Sequence, residues 1–308
     1  MEKTKLKRVA VFAHYDKHNK IQDYVVFYIK KLKEIADKVI FVSDSNVSKE
    51  ELSKISNYID FSIIEHHGEY DFGSYKRGYL YAKDSGFLND CEEFIICNDS
   101  CYGPIQPFDK VFDKMKNSNA DFWGITENFE GLEERNGEIL YCALSPHIQS
   151  YFIVFRKNVL NSEVFDTFFK TIEKQENKLN IILKYEIGLS KLLVNNGFKY
   201  DAYSDFSKHF ANSQILFYKK LIEENIPLVK TSIYRYTDIR ANIFPDYKIL
   251  NKYTDYDINL IKKDLKYNKN VKAKFRYPLR YLKHQRRKVI RLSTKKRELQ
   301  LFEKIYKF

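Results

Sequence analysis

Short apolar runs alternate with amphipathic segments along the first part of the chain. Val9–Ala13, Val39–Val42 and Phe94–Cys97 are uninterrupted apolar runs, a pattern typical of strands that are buried on both faces. Between the first two runs, apolar residues recur at three- and four-residue spacing from Ile21 to Ile35, which predicts an amphipathic helix. Strands that alternate with helices at this pitch predict a doubly wound, mostly parallel sheet.

The alternation changes in the middle of the chain. The sequence there predicts two longer strands, Glu138–Leu144 and Gln149–Phe155, that run antiparallel to the first set. A helical region over Val164–Asn195 follows them and is predicted to break near Asn177–Asn180. The remaining predicted elements are strands at Phe61–Glu65 and Asp121–Thr126, and helices at Glu50–Tyr58, Ser74–Lys83 and Phe108–Met115.

The composition is that of a folded protein rich in aromatic residues. The chain has 308 residues with 24 Tyr and 24 Phe, and aromatic side chains suit sugar rings as well as cores and membrane interfaces. No apolar run approaches the roughly 18 residues of a membrane span, and the N-terminus lacks the apolar segment of a signal peptide. The four cysteines lack paired C-x-x-C spacing, which disfavours a zinc cage or a disulfide framework. We therefore expect a cytoplasmic protein.

Charge is distributed unevenly along the chain. The region from Lys262 to the end has 18 Lys and Arg against three acidic residues, whereas residues 1–261 have 35 basic and 38 acidic residues. Such a basic tail predicts a partner of negative charge, which is a membrane surface, a nucleic acid or an acidic protein. We expect two parts: a domain over 1–240 and a basic, aromatic, helical extension over 241–308 that suits attachment to a membrane surface.

Polar residues directly follow the apolar strand at Phe94–Cys97. Asn98, Asp99 and Ser100 stand at its carboxyl end, which is where open α/β sheets bind ligands. A divalent cation that carries a diphosphate needs oxygen ligands on a rigid support, so Asp99 is a candidate metal ligand. The alternative is that these residues only cap the turn and the next helix.

A second polar segment follows the third predicted strand and opens a helix. Free backbone N–H groups at a helix N-terminus bind anions such as a diphosphate, although an ordinary capped helix is the alternative. The spacing is neither that of a P-loop nor that of a dinucleotide-binding loop. His14 and Asp16 follow the first strand, in a loop that commonly contacts a nucleotide. The candidate donor-binding residues of the helix segment are Asp71, Gly73, Ser74 and Lys76.

Two later segments supply candidates for acceptor binding and for acid–base chemistry. His147, Gln149 and Ser150 stand at the entrance of an apolar strand, where they are placed to contact an acceptor hydroxyl. A turn residue is the alternative for His147. Glu186 lies beside an apolar helix face, and the general base for a sugar hydroxyl should be a carboxylate directed into the site. A solvated helix glutamate is the alternative for Glu186.

Five segments together resemble the rhamnan synthesis protein F family of bacterial polysaccharide glycosyltransferases. They occur in the family's order and cover roughly residues 8–235, so the match is more specific than any one segment. The matching segments are Phe12–Asp16, Asp71–Lys76, Asn98–Pro104, Phe122–Thr126 and His147–Phe152.

The resemblance implies a GT-A-like, nucleotide-binding mixed sheet that is flanked by helices, with the basic helical extension at the C-terminus. Proteins of that fold have an Asp-x-Asp-type metal site after a central strand, and Cys97-Asn98-Asp99 stands at that place with a single acid. The resemblance implies Mg²⁺ or Mn²⁺ as the cation at Asp99, and Trp123 as an acceptor contact. It also implies Glu186 as the base of an inverting single displacement, with Glu127 as the alternative base.

The resemblance further implies a dTDP-rhamnose-like donor and a glycan or lipid-linked acceptor that leads to a cell-surface polysaccharide. The basic tail is then expected to hold the enzyme peripherally on the inner face of the cell membrane, because anionic lipid attracts Lys and Arg. A nucleic-acid-binding protein is one alternative, although residues 1–261 are net negative and no nucleic-acid module is present. A catalytically inactive glycan-binding protein is the other, because a single acid stands at 97–99.

Overall fold

A mixed sheet forms the centre of the fold. The computed structural model describes residues 7–135, 138–235 and 246–268. Within these residues the strands are β1 (Arg8–His14), β2 (Lys38–Ser43), β3 (Phe61–Ile64), β4 (Glu93–Asn98), β5 (Cys101–Tyr102), β6 (Phe122–Gly124), β7 (Glu127–Arg135), β8 (Glu138–Ile148), β9 (Phe152–Arg156), β10 (Tyr200–Ala202) and β11 (Val229–Lys230). Seven of them form the central sheet in the order β10-β6-β9-β4-β1-β2-β3, and β11-β5 and β7-β8 form two-stranded sheets.

Six of the seven central strands run in the same direction. β1 pairs in parallel with β2 and β4, whereas β9 lies antiparallel between β4 and β6. The prediction of a mixed α/β sheet is therefore confirmed, and the predicted antiparallel strand at Gln149–Phe155 is present as β9. The other predicted long strand, Glu138–Leu144, lies within β8. It pairs with β7 in a separate two-stranded ribbon and is not part of the central sheet.

Helices cover both faces of this sheet. In chain order they are α1 (Asp23–Ile35), α2 (Lys49–Ser53), α3 (Tyr70–Asp84), α4 (Phe108–Met115), α5 (Lys157–Leu160), α6 (Glu163–Lys170), α7 (Lys178–Ile181), α8 (Gly188–Asn195), α9 (Ser213–Leu216), α10 (Tyr218–Glu223), α11 (Thr231–Arg235), α12 (Tyr247–Tyr253) and α13 (Ile258–Tyr267). Short 3₁₀ turns occur at Ser56–Tyr58 and Phe206–Lys208, and a π-helical segment at Ile182–Ile187 joins α7 to α8.

Alternate residues of β1 enter two separate cores. Ala10 and Phe12 pack with the apolar face of α1, whereas Val9 and Val11 pack with α3 on the opposite face. The approach of α3 is close, since a Cβ built on Gly78 would lie 2.3 Å from a methyl carbon of Val11. This contact holds the middle of α3 against the middle of β1.

The last described helix, α13, packs on α1 and ends at Tyr267. Its Asp264 is only 1% exposed and forms a bidentate ion pair with Arg235, with two N–O distances of 2.8 Å. No described helix is both long and apolar enough to cross a membrane. Residues 269–308, with most of the predicted basic extension, lie outside the described residues, and the division at 240/241 stays a prediction.

Candidate functional site

Two cavities adjoin at the carboxyl ends of β1 and β4. The strand-end cavity, of about 530 Å³, is lined by His14, Asp99 and neighbouring residues of β1, β4 and α3. The ribbon cavity, of about 460 Å³, extends from there to Gly131 and Leu144 of the β7-β8 ribbon. The residues that line both cavities are Tyr70, Asp71, Asn98, Ser100 and Lys178. The shared wall allows a ligand in one cavity to meet a ligand in the other.

Asp99 lies beside the loop that follows β1 and is held there by hydrogen bonds. Its Oδ2 accepts a hydrogen bond from the Tyr15 N–H at 2.9 Å, and its carbonyl oxygen accepts one from the Tyr24 hydroxyl at 2.9 Å. Burial raises the pKa of Asp99 to about 7, while the Tyr15 N–H and the charge of Arg235 act in the opposite direction. The Tyr15 N–H and Arg235 therefore do not offset the burial of this carboxylate, which would gain from a cationic ligand.

A hydrogen-bonded chain connects the end of β4 to the start of α3. The side-chain amide of Asn98 donates to Asp71 Oδ2 at 3.0 Å, and its Oδ1 accepts from the hydroxyl of Ser100 at 2.6 Å. Burial raises the pKa of Asp71, and the charge of Lys178 opposes this rise. Asp71 thus lies at the junction of the two cavities with its orientation fixed.

Tyr70, the first residue of α3, has an unusual backbone conformation. Its φ is +60°, in the left-handed region that residues other than glycine seldom adopt. Its side chain is 41% exposed and lines both cavities. Strained backbone of this kind is concentrated at functional sites, so the conformation supports a role for this junction.

Three lysines surround the junction, and sequence reasoning did not identify any of them. Lys174 and Lys178 line the strand-end cavity, and Lys230 lines the ribbon cavity with its Nζ 3.0 Å from Ser100 Oγ. The predicted donor residue Lys76 instead donates from Nζ to the Ile172 carbonyl at 2.6 Å and is not among the described lining residues.

Three of the predicted acceptor residues, His147, Gln149 and Ser150, meet Glu186 in the ribbon cavity. Glu186 Oε2 accepts hydrogen bonds from the N–H of Ser150, at 3.2 Å, and from its hydroxyl. Glu186 Oε1 lies 3.7 Å from Nε2 of His147. Burial acts to raise the pKa of Glu186, but the hydrogen bond and charge of His147 and the Ser150 donors lower it to about 2. Gln149 also lines this cavity and accepts a hydrogen bond from Thr126 at 2.8 Å.

Two other predicted donor residues line the strand-end cavity. His14 Nδ1 lies 2.9 Å from the Ser43 hydroxyl, and burial lowers the pKa of His14 to about 4 against the charge of Asp16. The Ser74 hydroxyl lies 3.0 Å from Nε2 of His67. Both residues therefore line the cavity while each keeps a hydrogen-bond partner in the protein.

The structure places four further candidates away from the described linings of both cavities. Trp123 is fully buried in β6 and packs on Phe112, and Glu127 accepts a hydrogen bond from Tyr200 at 3.0 Å. Gly73 lies inside α3, where an added Cβ would meet Glu69, and Asp16 accepts from the N–H groups of its own loop. These positions support the walls of the site.

A divalent cation at this site would need oxygen ligands from the site's carboxylates. Within residues 7–135, 138–235 and 246–268, no group of three or more His, Cys, Asp or Glu side chains is placed to hold a metal ion. Mg²⁺ is usually bound through one or two carboxylates together with substrate phosphates. Asp99 and Asp71 both line the strand-end cavity. They fit a cation that arrives with a diphosphate, and they do not form a preformed cage.

Comparison with known proteins identifies one family. Residues 39–306 match the family model described as "Rhamnan synthesis protein F". A curated relative, "Uncharacterized protein y4gN" of Sinorhizobium fredii, is 28% identical over 180 residues, which are 58% of this chain and 44% of the relative. The match therefore spans less than half the length of that relative.

Several solved structures are similar to this chain at low identity. A 4-diphosphocytidyl-2C-methyl-D-erythritol synthase is 11% identical, with 70% of this chain and 98% of that chain covered, at a TM-score of 0.39. Core-mannan synthase A from Aspergillus fumigatus, in its Mn/GDP form, is 11% identical, with 55% and 64% covered, at a TM-score of 0.34. At these scores neither likeness assigns an activity.

Proposed function

This chain belongs to the rhamnan synthesis protein F family, and from that premise we propose that it is a nucleotide-sugar-dependent glycosyltransferase of polysaccharide biosynthesis. The observation that carries the proposal is the shared wall of the two cavities at Asp71 and Asn98. A transferase must bring a donor and an acceptor to one point while each keeps its own binding surface. The strand-end cavity suits the donor, and the ribbon cavity suits the acceptor.

The nucleoside diphosphate of the donor is proposed to lie in the strand-end cavity. Lys174 and Lys178 supply positive charge to the diphosphate, and His14 and Ser74 supply polar contacts. A bound Mg²⁺ or Mn²⁺, held by Asp99, would neutralise charge on the leaving diphosphate when present. The lysines act on that same charge, so the chain's own residues contribute to expulsion of the leaving group.

The acceptor is proposed to enter the ribbon cavity and to present one hydroxyl beside Glu186. Ser150 fixes this carboxylate, and Gln149 offers amide groups to the hydroxyls of a sugar. Attack by the acceptor oxygen on the anomeric carbon forms the new glycosidic bond and breaks the bond to the diphosphate in one step. A single displacement of this kind inverts the anomeric centre.

The proposal also covers the donor sugar, the acceptor and the cellular location of the enzyme. The word rhamnan in the family description supports rhamnose as the donor sugar. We extend the proposal to a dTDP-rhamnose-like donor and to a lipid-linked or growing glycan as acceptor. The 18 Lys and Arg after residue 261 support attachment to an anionic membrane surface on the cytoplasmic side. Each engaged Lys or Arg contributes about 1 kcal/mol to such attachment.

Release of nucleoside diphosphate from a panel of nucleotide sugars, with and without rhamnan-type glycan, tests the proposed activity. We expect release with at least one donor, increased by acceptor, and loss of that release in the Asp99→Asn variant. A matched control is Asp109→Asn, at an exposed position of α4. No release from any donor, or equal release by both variants, contradicts the proposal.

A further inference from the structure

His147 is held in an orientation that fixes which ring nitrogen is available. Its Nδ1 lies 2.8 Å from the carbonyl oxygen of Ser145, and a carbonyl oxygen can only accept a hydrogen bond. Nδ1 must therefore carry a proton. Nε2 is left at the ribbon cavity, 3.7 Å from Glu186 Oε1, and the residue as a whole is only 1% exposed.

Glu186 is held just as firmly on the other side of this gap. The N–H and hydroxyl of Ser150 both donate to its Oε2, so that Oε1 is the oxygen that faces His147. These two Ser150 donors stabilise the ionised carboxylate, and an ionised carboxylate that accepts hydrogen bonds is a weak proton acceptor. When His147 is neutral, its Nε2 presents a lone pair toward this negative charge.

We propose that Nε2 of His147 accepts the proton of the acceptor hydroxyl, and that Glu186 is a positioning residue that stabilises the resulting imidazolium. This inference rests on the proposed function. A hydroxyl oxygen about 2.6–3.2 Å from Nε2 can donate its one proton to that nitrogen, with Glu186 Oε1 3.7 Å away from Nε2 to face the imidazolium that forms. The arrangement gives the imidazole the basic role and gives the carboxylate the electrostatic one.

In the proposed step, each bond that forms is matched by a bond that breaks. The O–H bond of the acceptor breaks, and its proton goes to Nε2 of His147. The freed electron pair forms the bond from the acceptor oxygen to the anomeric carbon. The bond between that carbon and the diphosphate breaks, and its electron pair leaves with the nucleoside diphosphate. The Nε2–H then faces Glu186 Oε1, and the proton passes to solvent before the next turnover.

Other charged groups act on this pair from neighbouring elements. Glu127, at the start of β7, interacts electrostatically with His147. Lys230 of β11 stabilises the Glu186 carboxylate, whereas Asp71 of α3 is a second negative charge near Glu186.

Nitrogen NMR of ¹⁵N-histidine-labelled full-length protein tests the proton position without any substrate. The His147→Gln variant assigns the signal by its loss. We expect the neutral ring to be the Nδ1–H tautomer, and we expect Glu186→Gln to shift the midpoint of its titration to lower pH. A neutral ring protonated at Nε2, or a midpoint unchanged by Glu186→Gln, overturns the inference.

Kinetics then separate a base from a structural residue. His147→Gln should lower turnover by roughly 10²–10⁴-fold and remove the acid limb of the pH–rate profile, with nucleoside diphosphate affinity unchanged. Glu186→Gln should retain that limb and shift it to lower pH. Full activity of His147→Gln overturns this inference and leaves the glycosyltransferase assignment intact. A wild-type protein that neither binds nucleoside diphosphates nor consumes donors overturns the proposed function itself.

Discussion

Asn98 donates a side-chain hydrogen bond to Asp71 over 3.0 Å, and this bond joins the carboxyl end of β4 to the first turn of α3. Both residues line both cavities. The sheet and the helix are rigid elements, so the wall between the two cavities is held from two directions. The proposed placement of donor and acceptor in separate cavities depends on this wall.

Replacement of Asp99 by Asn is expected to remove activity and to stabilise the protein at neutral pH. The ordinary pKa of Asp is 3.8 and burial raises that of Asp99 to about 7. Between these values the folded protein binds more protons than the unfolded protein. The free energy by which Asp99 destabilises the folded protein therefore grows as pH rises from about 4 to 7. Thermal unfolding with a chelator should show Asp99→Asn above wild type at pH 8.

This stability difference should disappear as the pH is lowered toward 4, where Asp99 is protonated in the folded protein. Asp109→Asn, on the exposed face of α4, is the matched control and should show little change at either pH. A variant that is less stable than wild type at pH 8 would show that Asp99 is a structural acceptor for the Tyr15 N–H and not a strained site carboxylate.

Removal of the Lys178 charge is expected to weaken nucleoside diphosphate binding. Lys178 lines both cavities, and hydrogen bonds to charged groups are worth about 1.5–3 kcal/mol. Lys178→Ala should therefore raise the dissociation constant by roughly 10- to 150-fold in calorimetric titration. Lys191 is an exposed residue of α8 and is not among the described lining residues, so Lys191→Ala should leave the dissociation constant unchanged. Equal affinities in all three proteins would place the diphosphate elsewhere.

The Arg235–Asp264 ion pair is expected to anchor α13 to α11. Asp264 also accepts a hydrogen bond from the Tyr102 hydroxyl at 2.5 Å. Asp264→Ala leaves Arg235 without its partner and should lower the free energy of unfolding by about 3–5 kcal/mol in a urea titration. The double variant Arg235→Met/Asp264→Leu should recover much of that loss, because no buried charge remains unpaired. A double variant as unstable as Asp264→Ala would contradict this.

Deletion of residues 269–308 is expected to leave the described fold and nucleotide binding near normal. The cut preserves Asn268, whose side chain donates to the Asp264 carbonyl and carboxylate. Co-sedimentation with anionic vesicles should fall steeply after the deletion, and binding of the full chain should weaken with salt. Vesicle binding that survives the deletion would show that the tail is not the anchor, and a preference for single-stranded nucleic acid would favour the alternative class.

The strand pattern could be predicted from the sequence because buried strands leave uninterrupted apolar runs. β1, β2 and β4 begin and end within a residue or two of the predicted runs. The pairing of β8 with β7 could not be predicted, because a half-buried ribbon and a sheet strand share the same alternating pattern. Register depends on which neighbour packs against a strand, and that is a tertiary property.

Part of the candidate site was also predictable. Asp99 and Asp71 follow strand ends, and a strand end has a fixed place in an α/β sheet. Lys174 and Lys178 precede or begin a four-residue helix, and no local pattern indicates that such a segment folds over a cavity. Trp123 illustrates the reverse case, since the resemblance implied an acceptor contact while its place in strand β6 of the central sheet buries it completely.

A thermal-shift panel of nucleoside diphosphates on the full chain, with and without Mn²⁺, tests the central claim most directly. The account predicts that at least one nucleoside diphosphate stabilises wild type, by about 2.7 kcal/mol at a hundredfold excess over its dissociation constant. It also predicts that Lys178→Ala reduces this shift while Lys191→Ala retains it. A wild-type protein that no nucleoside diphosphate stabilises, or a shift that survives Lys178→Ala unchanged, would contradict the assignment of the strand-end cavity as the donor site.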